Sequence, residues 1–307
     1  MSGSIFPGSL PSSNLLVNPV DQSIENGGRM TRLMSDKGVL SQIIVGLLIV
    51  ILLYIIFVGG ETIYNYVNRI HINRTELLPY SYNTEDKTYM IIQNPNDPNS
   101  NPINLSDNER SGPEFTYSFF LNVHSATFRQ EYGLLHIFHK GNPGQYPLLG
   151  PGVYMRSDTN CLRVYMNSYE TWNNYVEVDN FPVGKWVHIA IVCKATAISV
   201  FINGNLKKRM SFDGYQPYQN YGNICAFSQR IVKVPSTVPS LDNGQGEPGF
   251  QVFGVMKGEL SRLNYFNYAL SYSEIMSMMD QGPSSTFAGA TDEPKPPYLA
   301  DTWWIQR

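Results

Sequence analysis

Cysteine and charge are scarce in this sequence of 307 residues. It has only 3 cysteines, Cys161, Cys193 and Cys225. These are too few and too scattered for a disulfide framework or a zinc ribbon. We predict three buried free thiols, with a single disulfide as the alternative. Charged residues make up 15% of the chain, the formal net charge is −3 and no long basic run occurs. The sequence therefore offers no electrostatic basis for binding nucleic acid.

Histidine patterns typical of metal sites are also missing. His136 and His139 lie three residues apart on a predicted strand. Side chains at positions i and i+3 of a regular strand point to opposite faces, so we expect that this pair cannot share an ion. His188 stands between Val187 and Ile189, and we expect a hydrogen-bonded histidine in the core.

One apolar run stands out against this background. Residues 39–58 read VLSQIIVGLLIVILLYIIFV. As a helix this run is about 30 Å long, the thickness of a bilayer's hydrocarbon core. It begins too late and is too long for a cleaved signal peptide. We predict a transmembrane helix over residues 39–60. The residues predicted to anchor it in the bilayer are Val39, Ile43, Leu47, Ile51, Ile55 and Val58.

The flanks of this helix differ in character. Three basic residues precede it within a short distance and two follow it, which favours an N-terminus on the cytoplasmic side. Residues 1–38 are rich in Ser, Asn, Gly and Pro and are predicted to be a flexible tail. We predict a linker with a lead-in strand over residues 61–112, and a tail rich in Pro and Trp over residues 282–307.

Residues 113–281 carry the signals of β-structure. Short apolar runs recur at roughly ten-residue spacing between polar turns, which predicts a mainly β, antiparallel sandwich. Residues 186–193 are apolar on both strand faces, as expected of a central strand covered on both sides. Asn203-Gly204 predicts a tight hairpin turn. Lys207, Lys208 and Arg209 follow, which predicts a solvated edge strand.

One helix is predicted near the end of this region. Ser271 and Glu274 have the spacing of a capping box, in which each side chain bonds the other's backbone N–H. Gly282 is the expected stop signal. The segment between them, SYSEIMSMMDQ, is therefore predicted to be a short helix.

Two motifs resemble laminin-G-like domains of the concanavalin A-like lectin/glucanase superfamily. GKWVHIAIVCKATAISVFINGNLKKR (184–209) resembles their central hairpin, and GELSRLNYFNYALSYSEIMSMM (258–279) resembles their closing strand and helix. The resemblance implies a jelly-roll sandwich over residues 113–281. Together with the membrane helix and the Trp-containing tail, the chain also resembles membrane-associated virion proteins of large DNA viruses of algae and protists.

The superfamily resemblance directs attention to carboxylates. Its glycoside hydrolases carry three acidic residues at alternating positions of one strand. Here Glu177 and Asp179 have this spacing without a third, so we expect a solvated strand face and no enzyme. Some laminin-G-like domains bind Ca²⁺ at the rim of the sandwich. Asp158 and Asp242 are the loop acids available for that role, although turn stabilisation is the simpler expectation, and we predict no other cofactor.

Aromatic residues supply the candidates for binding. Trp172, Asn173, Asn174 and Tyr175 form a candidate glycan platform. A second group of candidates consists of Tyr215, Tyr218 and Tyr221. Trp303 and Trp304 lie in the C-terminal tail, where they either pack back on the sandwich or dock into a partner.

We therefore expect a non-enzymatic, single-pass membrane protein whose sandwich and tails bind neighbouring proteins. The resemblance implies a viral minor capsid protein that links an inner membrane to the capsid shell, with its N-terminus on the cytoplasmic or particle-interior side. Its partners would be the bilayer and capsid or membrane-associated proteins. The alternative is a membrane-anchored lectin at a cell or virion surface. A glycosidase, active or degenerate, is a third reading that the missing acid disfavours.

Overall fold

The computed structural model describes residues 39–106, 112–129, 131–143, 147–234 and 250–289. The chain divides into two units, Met1–Asn68 and Arg69–Arg307. The predicted flexible tail at residues 1–38 lies outside the described residues. So do Trp303, Trp304 and Asp242.

The described part of the first unit is one helix, α1 (Val39–Val67). It begins at the predicted residue and continues past the predicted end at residue 60. Within it Gln42–Tyr64 is long and apolar enough to cross a membrane, with a mean hydropathy of 3.1, and none of that window is buried. The predicted anchor residues Ile43, Leu47, Ile51, Ile55 and Val58 are all exposed in the isolated chain, and Val39 is the first residue of the helix.

The second unit is a sandwich of two β-sheets. Sheet A has six strands. In spatial order they are β1 (Arg74–Asn83), β14 (Gly258–Phe266), β3 (Glu114–Val123), β8 (Trp186–Lys194), β9 (Ala197–Ile202) and β10 (Asn205–Ser211). Neighbouring strands in this sheet pair antiparallel. The predicted central strand is confirmed, because β8 lies between β3 and β9 and is buried along most of its length.

Sheet B has eight strands. Six form a continuous order of β12 (Ile231–Lys233), β13 (Gln251–Val255), β4 (Leu134–Asn142), β5 (Leu148–Arg156), β6 (Leu162–Tyr165) and β7 (Tyr175–Val178). β11 (Ile224–Ala226) pairs with β4 and with β2 (Tyr89–Ile91). β13 joins β4 in parallel. Strands β1 and β2 show that the sandwich begins within the predicted linker at residues 61–112.

The main core lies between the two sheets. Phe119 of sheet A meets Phe138 of sheet B edge to face, with ring centroids 5.2 Å apart. Both side chains are fully buried, as are Tyr117 and Tyr265 beside them. The three cysteines are free and buried, as predicted. Burial raises the pKa of all three thiols, which makes them poor nucleophiles.

Two short helices border sheet A. α2 (Arg69–Ile72) precedes β1, and α3 (Tyr272–Asp280) follows β14. The predicted capping box of α3 is confirmed, since Ser271 and Glu274 bond reciprocally. Ile275 and Met278 of α3 are buried in a cluster with Val192 of β8. This second apolar cluster explains why β8 is apolar on both faces.

The predicted hairpin turn is also confirmed. Asn203 and Gly204 have φ angles of +48° and +75°, as the two central residues of a type I′ turn require. The turn leads into β10, the edge strand of sheet A, where Lys207, Lys208 and Arg209 are all exposed. A register shift between Leu206 and Lys208 adds a bulge to this edge.

The C-terminal segment packs back on the opposite edge of sheet A. Ser81 of β1 donates its N–H to Thr286 O at 2.9 Å and accepts from Ala288 N at 2.8 Å. The Ser81 hydroxyl also donates to Ser284 O at 2.7 Å. The first residues of the predicted tail 282–307 are therefore part of the sandwich.

Candidate functional site

Of the two acidic residues, Glu177 of β7 forms ion pairs. Glu177 lies directly across from Arg163 of β6, and its Oε1 is 2.7 Å from the Arg163 guanidinium and 3.4 Å from that of Arg156. The expectation of a solvated Glu177 is correct only in part, because the side chain is half-buried and is the counter-ion of the buried Arg163. Asp179 lies beyond the end of β7 and is exposed. The two carboxylates have separate surroundings rather than those of a paired acid and nucleophile.

The prediction that His136 and His139 point apart is also wrong. His136 Nε2 and His139 Nδ1 are 2.6 Å apart. The cause is a register shift between His136 and Phe138 in the β4–β5 pairing, because a bulge breaks the alternation of faces. Burial lowers the pKa of both rings, to about 4 for His139.

His188 is a core histidine, as predicted. Its Nε2 is 2.9 Å from the hydroxyl of Ser118 on β3, while its Nδ1 is buried without a partner. Burial lowers its pKa to about 4. The ring is therefore neutral near pH 7.

The loop acid proposed for Ca²⁺ is already paired. Both carboxylate oxygens of Asp158 accept hydrogen bonds from Arg156, at 3.1 and 2.7 Å. Arg156 also lowers the pKa of this carboxyl. Within the described residues there is no group of three His, Cys, Asp or Glu that could hold a metal ion. A Ca²⁺ site that includes Asp158 or Asp242 stays a prediction.

The predicted glycan platform is half-buried. The Trp172 ring packs edge to face on Phe250 at 6.0 Å. The Tyr175 ring lies 4.3 Å beneath the Arg163 guanidinium, and the Asn174 amide donates to Ser168 Oγ and Thr171 O. Asn173, also half-buried, completes the segment. These ring faces contact the protein itself, and glycan binding here stays a prediction.

More exposed tyrosines lie on the loop after β6 and the loop before β11, and we call this group the tyrosine rim. It consists of Tyr169, Tyr215, Tyr218 and Tyr221. Tyr169 is 69% exposed and Tyr221 is 79% exposed, whereas Tyr218 is half-buried and packs edge to face on Tyr169 at 5.2 Å. Large aromatic rings on a rigid support are typical anchors of binding interfaces.

Hydrogen bonds join the two loops that carry the tyrosine rim. Tyr169 N donates to Gln216 O at 3.1 Å, and Tyr218 N donates to Asn167 O at 2.8 Å, so the loop after β6 is joined to the loop before β11. The buried Asn167 amide bonds Leu149 N and Pro147 O. These bonds position the backbone that carries the exposed rings.

A polar cleft of about 390 Å³ lies elsewhere on the sandwich, between the end of β7 and the β9–β10 hairpin. Its floor includes the buried Phe181 and Ile202. Its polar lining residues are Asp179, Asn180, Asn203, Asn205 and Lys207. A carboxylate, amides and an ammonium suit a ligand with many hydroxyl or amide groups.

Sequence reasoning missed two of these features. Tyr169 lies in a loop whose sequence shows neither strand nor helix periodicity. It joins the tyrosine rim only because its backbone N–H bonds Gln216 O of the other loop. The cleft joins residues from two sheet edges that are distant in sequence. The signal that did identify Tyr215, Tyr218 and Tyr221 was the mixture of aromatic and amide residues in this loop.

Comparison with protein families supports the fold. Residues 97–227 match the family model described as Laminin_G_3, concanavalin A-like lectin/glucanases superfamily. Over these residues the sandwich is similar to concanavalin A-like domains. The matched region begins before the predicted start at residue 113, and strands β1 and β2 of the sandwich lie before the match. The sequence matches none of the curated proteins with which it was compared.

The solved structures that match part of this chain include binding domains of toxins. The binding domain of botulinum neurotoxin serotype D is 12% identical, with a TM-score of 0.42, over 67% of this chain and 51% of that one. The binding domain of Paraclostridial mosquitocidal protein 1 is 14% identical, with a TM-score of 0.41, over 66% of this chain and 42% of that one. The chain thus spans about half or less of these proteins' lengths.

Proposed function

We propose that this protein is a non-catalytic, single-pass membrane protein whose concanavalin A-like sandwich binds a neighbouring protein. α1 would hold it in a bilayer, and the tyrosine rim would be the docking surface. The observation that carries the proposal is the presence of exposed tyrosines on two loops that hydrogen-bond to each other. Anchoring in the plane of a membrane raises the effective concentration of such a contact, so a modest affinity suffices.

In its specific form, the proposal is that this protein is a viral minor capsid protein. It would link an inner membrane to the capsid shell, with its N-terminus on the cytoplasmic or particle-interior side. The support for this form is the order of segments: a tail, an apolar helix, a sandwich and a Trp-containing tail. Trp303 and Trp304 would add a second docking point.

Crosslinking mass spectrometry on the native membrane or particle tests this function. Lysine-reactive crosslinks from Lys207, Lys208, Lys37 or Lys295 to one abundant protein are expected. The double variant Tyr169→Ser/Tyr221→Ser should reduce that crosslink yield at least tenfold. Its matched control is Tyr80→Ser/Tyr272→Ser, which removes two exposed tyrosines from β1 and α3. Equal yields in both variants would exclude the tyrosine rim, and no reproducible partner would exclude the linking role.

A membrane-anchored lectin is the second candidate, and the polar cleft favours it. Carbohydrate hydroxyls pair well with carboxylate and amide groups such as Asp179 and Asn205. Binding on a glycan array that is lost in Asp179→Ala/Asn205→Ala, but kept in Tyr169→Ser/Tyr221→Ser, would support the lectin. Absence of glycan binding by the wild-type protein would leave the protein-docking role.

A further inference from the structure

The buried histidine pair links β4 to the segment that follows β11. Ser228 N donates to His136 Nδ1 at 2.9 Å. Because this nitrogen accepts a hydrogen bond, the ring proton of neutral His136 is on Nε2, which donates to His139 Nδ1 at 2.6 Å. The result is a directional chain from Ser228 through His136 to His139.

This arrangement leaves no free site for another proton. The unprotonated nitrogen of His136 accepts from Ser228, and the unprotonated nitrogen of His139 accepts from His136. A proton added to either nitrogen must therefore break one of the two hydrogen bonds. Two charged rings at this separation would also repel each other strongly.

The segment that these bonds hold is also attached by strand pairing and by apolar contacts. β12 pairs with β13, and β13 pairs with β4 at Val252↔Leu134 and Val255↔His136. Phe253 and Val255 pack on the main core. The support on the other face of the sheet is a small apolar cluster. Its members are Leu134, Leu149, Tyr154, Tyr165, Val234, Phe250 and Val252, with Trp172, Tyr175 and Val232 at its margin.

The groups that face the pair do not offset a positive charge. Tyr154 of β5 lies 5.5 Å from His136, and Cys225 of β11 is the register partner of His139. Both are neutral near pH 7, since burial raises the pKa of each. Lys140, next along β4, is a cation whose ammonium donates to Gly222 O. Acidic side chains are absent from these described contacts, so a proton on the pair lacks a counter-ion.

We propose that His136 and His139 form an acid-sensitive latch. Protonation breaks one of the two hydrogen bonds, and β12 and β13, at the edge of sheet B, then separate from β4. The aromatic surface beneath them, formed by Tyr154, Tyr165 and Trp172, becomes accessible. This inference does not depend on the proposed function.

The expected size of the effect follows from linkage. In the opened state both rings have the ordinary histidine pKa of about 6.5, whereas in the closed state they stay neutral to a much lower pH. Between pH 7.4 and 5.0 each ring then favours opening by about 30-fold, and the two together by about 800-fold. Below pH 6 the base-10 logarithm of the opening constant should rise by about two for each unit by which the pH falls.

Hydrogen–deuterium exchange of the full chain in nanodiscs tests the latch. Protection factors, corrected for the intrinsic effect of pH, are measured at pH 7.4 and 5.0. Residues 228–234 and 250–255 should lose protection by about 800-fold while β3 and β8 keep theirs. An equal loss in β3 and β8, or a pH slope of one or less, would overturn the proposal without any variant.

Substitutions then separate the two rings. His139→Asn keeps a hydrogen-bond acceptor but has no titrating ring. The loss of protection between pH 7.4 and 5.0 should therefore fall to about 30-fold. In His136→Gln/His139→Asn it should disappear. His188→Gln removes a buried histidine of sheet A and should leave the 800-fold response intact. A full response in the double variant, or its loss in His188→Gln, would contradict the assignment.

Discussion

Among single residues, Lys140 has an unusual environment. Its side chain is 1% exposed, and its ammonium donates one hydrogen bond, to Gly222 O at 2.7 Å. Burial lowers its pKa to about 8. A buried cation without a counter-ion costs free energy of folding.

We predict that Lys140→Met stabilises the protein. The free energy of unfolding at pH 7 should rise by about 1–2 kcal/mol, because the gain from removing a buried charge exceeds the lost bond to Gly222 O. The wild type should gain stability between pH 8 and 10.5, where the unfolded chain binds more protons, and the variant should lack this slope. Urea denaturation measures both. A destabilised variant would mean that the ammonium has an anionic partner.

Gly204 has two reasons to be glycine. Its φ is +75°, and a Cβ there would lie 2.4 Å from Met276 Sδ of α3. Gly184 has a similar φ of +73° but open space around its Cα. The two positions therefore share the backbone requirement and differ in packing.

We predict that Gly184→Ala costs about 1 kcal/mol from backbone strain alone. Gly204→Ala should cost about 1 kcal/mol more, because Met276 must also move. Thermal or urea unfolding of the two variants gives the comparison. Equal losses would show that the Met276 side chain adapts freely.

At the scale of elements, α3 depends on its first turn. It has nine residues, too few for a helix to be stable alone in water. Ser271 and Glu274 satisfy backbone N–H groups at its start, and Ile275 and Met278 pack on sheet A. Capping and packing thus act on the same short element.

We predict that Ser271→Ala lowers the free energy of unfolding by about 1 kcal/mol, the usual value of an N-cap. Ser277→Ala, at an exposed site within the same helix, should be neutral or slightly stabilising, because alanine is a good helix former. Denaturant titration of both variants checks the prediction. A similar effect of the two substitutions would argue against a specific cap.

Strand β4 shows where pattern reasoning fails. The alternation of faces correctly indicates a strand at residues 133–141 but places His136 and His139 apart. A bulge near Phe138 removes the alternation, and bulges depend on the partner strand as well as on the local sequence. Glu177 is similar, since its environment depends on Arg163 of the neighbouring strand.

At the scale of the molecule, the two units differ in what they expose. α1 exposes apolar side chains along its length, whereas the second unit has its own core between two sheets. We predict that a chain of residues 69–307 is soluble without detergent and has a β-type circular dichroism spectrum. The full chain should remain with membranes after alkaline carbonate extraction. Detergent-dependent folding of the shorter chain, or release of the full chain, would contradict this division.

Local patterns in the sequence predict the apolar helix, the sandwich, the Asn203-Gly204 turn and the capping box, because each depends on the periodicity or turn chemistry of neighbouring residues. The contacts between groups that are distant in sequence are known only from the folded chain. The fold paired Glu177 with Arg163, brought the two histidines together and joined two loops into the tyrosine rim. These contacts depend on strand register and loop closure, which short-range patterns do not encode.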